Sequence, residues 1–151
     1  MSVCHCTLLR KATRRLSRLY DMAVAPSGLK TTQAAILAEI GRSQPCPVGE
    51  LAEKLVMDSG ALAHTLKPLE RDGFITVAVD ERDRRNRLVS LTEAGRDKRD
   101  ETQALLADAH RGFEAAFGAG GSQALREALY LLISDDFETS FQAAMRAGRH
   151  F

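Results

Sequence analysis

A run of eight residues rich in arginine is the segment whose side chains could most directly do chemistry. It extends from Asp80 to Arg87 and reads Asp-Glu-Arg-Asp-Arg-Arg-Asn-Arg, so four guanidinium groups stand among three carboxylates. Guanidinium groups pair with phosphates and enter the narrow, electronegative minor groove of DNA. The alternative is a solvated turn of mixed charge, because runs of charged residues are usually solvated surface.

The segments around this run favour the first interpretation. Strand-like stretches, 74–79 and 88–91, flank it and predict a β-hairpin with the arginines at its tip. Two amphipathic helices are predicted before the hairpin, at about 48–56 and 58–73, with a tight turn at residues 57 and 58. A helix-turn-helix followed by an arginine-tipped hairpin is a winged helix, which lays its second helix in the DNA major groove and its hairpin tip beside it.

Four more helices complete the predicted layout. The first covers about 4–23, the second begins with Thr31 or Thr32 as its cap and ends near residue 40, the fifth covers about 93–117, and the sixth about 123–147. Residues 43–47 are predicted as a linker, and the glycine-rich stretch 118–122 is expected to end the fifth helix. Pro68 is expected to bend the fourth helix without ending it, because helical spacing continues to Gly73.

The predicted fold is therefore mostly α with a small β-hairpin wing, in the order α1-α2-α3-α4-β-wing-β-α5-α6. Residues 30–92 are predicted to form a winged helix-turn-helix DNA-binding domain. The first, fifth and sixth helices have more apolar surface than this small unit can cover, and surplus apolar surface usually marks an interface. Residues 1–29 and 93–151 are accordingly predicted to form a helical dimerisation region.

Composition and charge agree with a globular protein of one domain's length. The chain has 151 residues, 44% of them hydrophobic, and a net charge of +1. It has no apolar run near the ~18 residues of a membrane span, and three cysteines do not form a secreted disulfide framework. We therefore expect a soluble, cytoplasmic protein without membrane contact. The charge is asymmetric, since residues 1–20 hold five basic and no acidic residues, whereas residues 101–151 hold four basic and seven acidic ones.

Five short motifs, in order along nearly the whole chain, resemble the MarR family of bacterial transcriptional regulators. They are Leu51-Ala52, Met57-Asp58, Leu66-Lys67-Pro68-Leu69-Glu70-Arg71-Asp72-Gly73, Asp83-Arg84-Arg85 and Leu91-Thr92-Glu93-Ala94-Gly95. The resemblance implies an obligate homodimer that binds a pseudo-palindromic operator on double-stranded DNA. It also implies release by a small phenolic or other ligand, or by thiol oxidation, and we expect the chain to act as a repressor.

The family pattern assigns the minor-groove arginine to Arg85, held by the carboxylate of Asp83. A charge-assisted pair between these side chains would orient the guanidinium before it meets DNA. The recognition helix departs from the family's polar string, because Gly60 and Ala61 cannot hydrogen-bond a base edge through their side chains. The DNA-binding residues predicted from helix and wing are Ser59, His64, Thr65, Lys67, Arg82, Asp83, Arg84, Arg85 and Arg87.

Cys4 and Cys6, near the start of the first helix, are candidates for redox sensing, as some family members sense oxidants through a cysteine near this end. A zinc site is the second option, but Cys4, His5 and Cys6 supply at most three neighbouring ligands, so no metal is predicted. The third option is that both thiols are bystanders. Cys46, between two prolines, is expected to be inert.

Tyr20, His110 and Phe113 are candidates for lining a ligand cleft between the dimer helices and the DNA-binding lobe, where relatives bind aromatic acids. Ordinary packing is the alternative for each of them. The sequence contains no recognisable nucleophile motif or phosphate-binding loop, so neither enzymatic activity nor a cofactor is predicted. Two other functions remain open, a winged helix that binds proteins instead of DNA, and a thiol-based redox enzyme that uses Cys4 and Cys6.

Overall fold

The computed structural model describes residues 4–148. Its helices are α1 (His5–Val24), α2 (Thr31–Ser43), α3 (Val48–Lys54), α4 (Ser59–Arg71), α5 (Glu93–Phe117), α6 (Ala119–Leu132) and α7 (Asp135–Ala147). A 3-10 turn, Ala25–Ser27, follows α1. Strands β1 (Cys46–Pro47), β2 (Ile75–Val79) and β3 (Arg87–Leu91) form an antiparallel sheet in the order β1-β3-β2. Within the described residues, no helix is both long and apolar enough to cross a membrane.

The chain divides into two compact units, one up to Ala109 and one from His110 onward. The first unit contains the core, in which one face of each of α2, α3 and α4 is buried together with the inner face of the sheet. Fully buried members of this core include Ile36, Leu37, Ile40, Leu51, Leu62, Leu69 and Val89. The second unit contains the end of α5 together with α6 and α7. The predicted domain ranges 1–29 and 93–151 include residues 1–3 and 149–151, which lie outside the described part of the chain.

The predicted fold class, mostly α with a β-hairpin wing, is confirmed. The segment 43–47 differs from its prediction, because it is not only a linker. Cys46 and Pro47 pair with Val89 and Leu88 as a third strand, and the side-chain oxygen of Gln44 accepts a hydrogen bond from the amide of Leu91 at 2.7 Å. A strand of two residues has no alternation of polar and apolar residues, so periodicity could not identify it.

The prediction of a single sixth helix is wrong, since residues 119–147 form two helices. The Ser134 hydroxyl donates to the carbonyl of Leu131 at 2.8 Å and accepts from the amide of Phe137 at 3.2 Å, which caps α7 at its N-terminus. Apolar residues keep helical spacing across the break, so the hydrophobic pattern alone predicts one continuous helix. Only Gly118, at φ 86°, separates α5 from α6, and the glycines at 120 and 121 already belong to the first turn of α6.

The prediction that Thr31 or Thr32 caps α2 is also wrong. Lys30 precedes the helix, and its amide donates to the side chain of Gln33 at 2.9 Å. The amide of Thr31 is held from outside the helix by a carboxylate oxygen of Asp21 at 2.8 Å. This bond lowers the pKa of Asp21 below its ordinary value, with a smaller contribution from the nearby ammonium of Lys30. A residue ten positions earlier therefore replaces the local cap.

Four elements meet where α4 ends and α5 begins. The helix α4 continues through Pro68 to Arg71, and Gly73 follows with φ 80°, in the left-handed conformation that ends many helices. The Thr92 hydroxyl donates to the carbonyl of Gly73 at 2.6 Å and accepts from the amide of Gly95 at 2.9 Å, so Thr92 caps α5. The Thr92 amide donates to the carbonyl of Phe74 at 3.1 Å. The end of α4, the start of the wing, its return strand and α5 are thereby joined.

A substitution at Gly95 tests this junction, because an added Cβ would lie 1.8 Å from the carbonyl oxygen of Phe74. We expect Gly95→Ala to lower the free energy of unfolding by about 1–3 kcal/mol through overpacking. Gly112→Ala in the same helix is the matched control, because nothing lies within 4 Å of an added Cβ there. The control should leave stability unchanged or raise it by up to about 1 kcal/mol. Urea unfolding measures both, and equal stability of the two variants would contradict the tight junction.

Candidate nucleic-acid interface

The helix α4 presents one face to the core and a polar stripe on the opposite side. Its N-terminus is capped by Asp58, whose carboxylate accepts from the amides of Gly60 and Ala61 at 2.9 and 3.1 Å. Leu62, Leu66 and Leu69 are buried. Because an α-helix repeats every 3.6 residues, the outward stripe consists of Gly60, His64, Lys67 and Arg71.

Three of the four side chains predicted on this helix for DNA contact are available. Ser59, His64 and Lys67 are exposed, and their side chains form no hydrogen bond or ion pair within residues 4–148. Thr65 is half-buried, and its hydroxyl donates to the carbonyl of Ala61 at 3.0 Å. Its proton is therefore engaged within the helix, and Thr65 can only accept a bond from a base or a water. His64 and Lys67 are the stronger candidates.

A groove along α4 includes cations that the sequence reasoning did not select. It has a volume of about 840 Å³, and its lining includes His64, Thr65 and Lys67 together with Lys30 and Arg71. Arg71 follows Lys67 by four residues, so helical spacing alone could have identified it. Its guanidinium donates to both carboxylate oxygens of Asp72, at 2.8 and 3.3 Å, and this contact raises the pKa of Arg71 and lowers that of Asp72.

The wing tip is an ordered turn built on two aspartates. One oxygen of Asp83 accepts from the amide of Arg85 at 3.1 Å and from its Nε at 3.3 Å. The amide of Asn86 donates to the carbonyl of Asp83 at 2.8 Å, which closes the turn. Asp80 likewise accepts from the amide of Arg82 at 2.9 Å. In both cases an aspartate carboxylate accepts from the backbone amide two residues later, which is the arrangement called an Asx turn.

The contact between the side chains of Asp83 and Arg85 is formed by the turn itself, since residues 80–86 lie between β2 and β3. The Arg85 side chain remains 90% exposed, so the carboxylate fixes one side of a guanidinium that still faces solvent. Arg82, Arg84 and Arg87 are also exposed. An exposed guanidinium with a restricted direction suits insertion into a narrow groove.

The cysteines occupy two different environments. Cys4 is exposed and lies immediately before α1, at its N-cap position, and Cys6 is exposed in the first turn. The nearby backbone amides of Thr7 and Cys6 lower the pKa of the Cys4 thiol, because free amides at a helix N-terminus stabilise a thiolate. Cys46 is fully buried in the core of the first unit. Within the described residues, no three His, Cys, Asp or Glu side chains are grouped as a metal site.

The residues predicted to line a ligand cleft fall in both units. Tyr20 is half-buried on α1 in the first unit. In the second unit, His110 contacts Glu114 through Nε2 at 3.2 Å, and the guanidinium of Arg126 lies 3.5 Å from each of them. Phe113 stacks on Phe117, with ring centroids 5.3 Å apart. The role of Tyr20, His110 and Phe113 in ligand binding stays a prediction.

Comparison with known proteins agrees with this architecture. A family model described as "MarR family" matches residues 29–86. The chain is similar to the transcriptional activatory protein BadR of Rhodopseudomonas palustris, with 37% identity over 91 residues, which are 58% of this chain and 52% of that protein. The chain thus spans about half the length of this curated relative.

Two solved structures match over most of their length. A probable transcriptional regulator from Pseudomonas aeruginosa is 31% identical with a TM-score of 0.74, and the match covers 83% of this chain and 93% of that one. The M. tuberculosis transcriptional regulator MOSR, solved in complex with DNA, is 29% identical with a TM-score of 0.79, covering 96% and 98% of the two chains. Both matches extend well beyond the residues that the family model covers.

The environment of Cys4 predicts a shifted pH profile for thiol alkylation. In a Cys6→Ser, Cys46→Ser variant, the rate with iodoacetamide should reach half its maximum below the ordinary thiol pKa of about 8.5, because the thiolate is the reacting form. In denaturing urea the helix N-terminus is lost, and the midpoint should rise to the ordinary value. Identical profiles in the folded and unfolded states would contradict stabilisation of the thiolate by α1.

Proposed function

The chain belongs to the MarR family, and on that premise we propose that it is a transcriptional regulator that binds double-stranded DNA as a homodimer. The observation that carries the proposal is the pairing, in one compact unit, of an exposed polar stripe on α4 with an arginine oriented at the wing tip. Related structures support it, since one of them was solved in complex with DNA.

In this proposal α4 lies in the major groove and the wing in the adjacent minor groove. His64 contacts a base edge, because its imidazole can donate or accept there. Ser59 and Lys67 contact phosphates and set the register of the protein on DNA. Arg85, oriented by Asp83, enters the minor groove, and the other wing arginines bind the flanking phosphates.

Exposed apolar side chains support a homodimer. On α1, Leu8, Leu19 and Met22 are 50%, 49% and 67% exposed. Beyond residue 110, Phe141 and Met145 are among many apolar residues open to solvent. Patches of this kind mark interfaces, and a two-fold dimer would present two α4 helices to the two half-sites of a pseudo-palindrome.

We further propose repression with release by a signal. Repression requires only that the operator be occupied, whereas activation needs an additional contact with the transcription machinery. A small aromatic effector bound near Tyr20, His110 and Phe113 is one signal, and oxidation of Cys4 is the other. The exposed Cys4 thiol with its lowered pKa supports the second signal.

The alternative of a protein-binding winged helix has one favouring observation. Gly60 lies in the outward stripe of α4, and Ala61 follows it without a polar side chain. This leaves only part of that face able to donate or accept hydrogen bonds to bases. The second alternative, a thiol-based redox enzyme, is favoured only by the presence of Cys4 and Cys6.

Footprinting on the chain's own upstream DNA tests DNA binding. We expect protection of an inverted repeat whose half-sites are about one helical turn, ~34 Å, apart. Affinity should fall steeply with salt as phosphate contacts release counterions. If no symmetric site is protected there or in a genome-wide selection, the protein-binding alternative replaces this proposal.

Substitutions at the wing test the role of the pair. Arg85→Ala should cost about 1–3 kcal/mol of operator binding if the guanidinium is inserted in the groove. Asp83→Ala should also weaken binding, although it removes a negative charge, because Arg85 loses its orientation. Asp80→Ala is the matched control, since it removes the same charge from the wing but not the contact to the Arg85 side chain. If both aspartate variants bind more tightly to a fluorescent operator, phosphate repulsion explains Asp83.

The two release signals can be separated in one experiment. Operator-bound wild-type protein and a Cys4→Ser, Cys6→Ser variant are titrated with hydrogen peroxide and then with dithiothreitol, and release is followed by fluorescence anisotropy. Reversible release of the wild type alone supports the thiol signal. Identical curves for the two proteins exclude it and leave the aromatic effector as the signal to be screened.

A further inference from the structure

The groove beside α4 lies within the first compact unit, and two of its walls come from different helices. Lys67 and Arg71 belong to α4, whereas Lys30 and Thr32 lie at the start of α2. Among the described residues that line the groove, Asp21 is the one with a carboxylate, and this carboxylate lies 3.7 Å from the ammonium of Lys30. The groove therefore has three permanent cations against one anion.

The side chains that the sequence reasoning did not select are open to an external ligand. Those of Lys30 and Arg71 are 73% and 74% exposed. Asp72 accepts from two N–H groups of the Arg71 guanidinium, which has five, so three remain for another acceptor. Thr32 is also exposed, and its hydroxyl forms no hydrogen bond within residues 4–148. None of these three side chains belongs to the hydrophobic core.

The start of α2 is held in place by bonds that do not involve these side chains. The carboxylate of Asp21 accepts from the backbone amide of Thr31 at 2.8 Å, and the side chain of Gln33 accepts from the backbone amide of Lys30 at 2.9 Å. Both donors are backbone groups. The wall that α2 forms should therefore persist when the side chain of Lys30 is removed.

The position of the groove next to the outward stripe of α4 indicates its ligand. An α-helix with its side chains is about 10–12 Å wide and the major groove of B-DNA is about 12 Å wide, so a helix docked there fills it. The phosphate backbones then run along the sides of the helix, and a wall beside it faces one of them. Lysine, arginine and threonine side chains bind phosphate oxygens without reading the base sequence.

We propose that Lys30, Thr32 and Arg71 form a phosphate clamp, which binds the backbone of one operator strand next to the phosphate contact of Lys67. This inference rests on the proposed function, because it names further contacts of the same DNA-binding surface. The clamp joins α2 to the interface, so each half-site is held by α4, the wing and a third element. It adds affinity and fixes the register of α4, whereas the base preference stays with α4 itself.

The salt dependence of operator binding tests the phosphate clamp. We expect Lys30→Ala and Arg71→Ala each to raise the dissociation constant about three- to tenfold at ~0.1 M salt, by similar factors for operators of different sequence. The slope of log affinity against log salt should become shallower by about 2, because a homodimer loses two phosphate contacts at about 0.9 each. Thr32→Val should weaken binding with an unchanged slope, since it removes a hydroxyl but no charge.

Operators with single methylphosphonates locate the contact, because each lacks the charge of one phosphate. Wild-type protein should lose affinity when a phosphate bound by the clamp is neutralised. Lys30→Ala and Arg71→Ala should each lose no further affinity at the phosphate that the missing side chain binds, which is the coupling expected of a direct contact. A structural effect of either substitution would instead weaken binding to all operators equally. Fluorescence anisotropy measures every combination.

Arg42→Ala is the matched control. It removes an equal charge from the other end of α2, where the Arg42 guanidinium is paired with Glu39 and does not line the groove. Operator affinity should stay within about twofold and the salt slope should not change. Circular dichroism checks that each variant is folded.

The outcomes separate the phosphate clamp from the proposed function. If wild-type protein binds its operator, but the variants at Lys30 and Arg71 keep its salt slope and show no coupling to any methylphosphonate, the clamp is overturned while the proposed function stands. If these variants lose only thermal stabilisation by inorganic phosphate, the groove binds a small anion and the clamp is likewise overturned. Wild-type protein that binds no operator would refute both.

Discussion

The hydrogen bonds of Thr92 are the constraint on which the arrangement of α4, the wing and α5 depends. The Thr92 hydroxyl donates to the carbonyl of Gly73, just after α4, and accepts from an amide in the first turn of α5, while the Thr92 amide donates to the carbonyl of Phe74 at the start of the wing. Gly73 must adopt a positive φ to deliver that carbonyl, and Gly95 must lack a Cβ because the Phe74 carbonyl occupies the space. The direction of the wing relative to α4 follows from this junction.

The same junction couples the wing to the long helix α5. The ammonium of Lys98 donates to the carbonyl of Ser27 at 3.0 Å and lies 5.7 Å from the centroid of the Phe74 ring. The start of α5 is therefore attached to both the wing base and the turn after α1. Lys98 thus links the turn after α1 to Phe74, which follows the end of α4.

Charge is distributed so that a nearly neutral chain has surfaces of opposite sign. The net charge is +1, yet α1 and the wing tip are rich in arginine and the first turn of α7 is acidic. Asp83 holds the guanidinium of Arg85 on one side only, and the Arg85 side chain stays 90% exposed. The five cations of α1 before Asp21 form no ion pair within the described residues, and all five are exposed. Net charge alone would have indicated neither surface.

The sequence by itself determined the helices α3 and α4, the hairpin that follows them, and Ser59, His64, Thr65 and Lys67 as the polar candidates on α4. These features depend on local chemistry, namely helical spacing, capping oxygens and the left-handed freedom of Gly73. Only tertiary structure decided the strand at Cys46 and the replacement of the α2 cap by Asp21. Each of these arises from partners that periodicity cannot supply, because a two-residue strand has no period and a cap ten residues away leaves no local pattern.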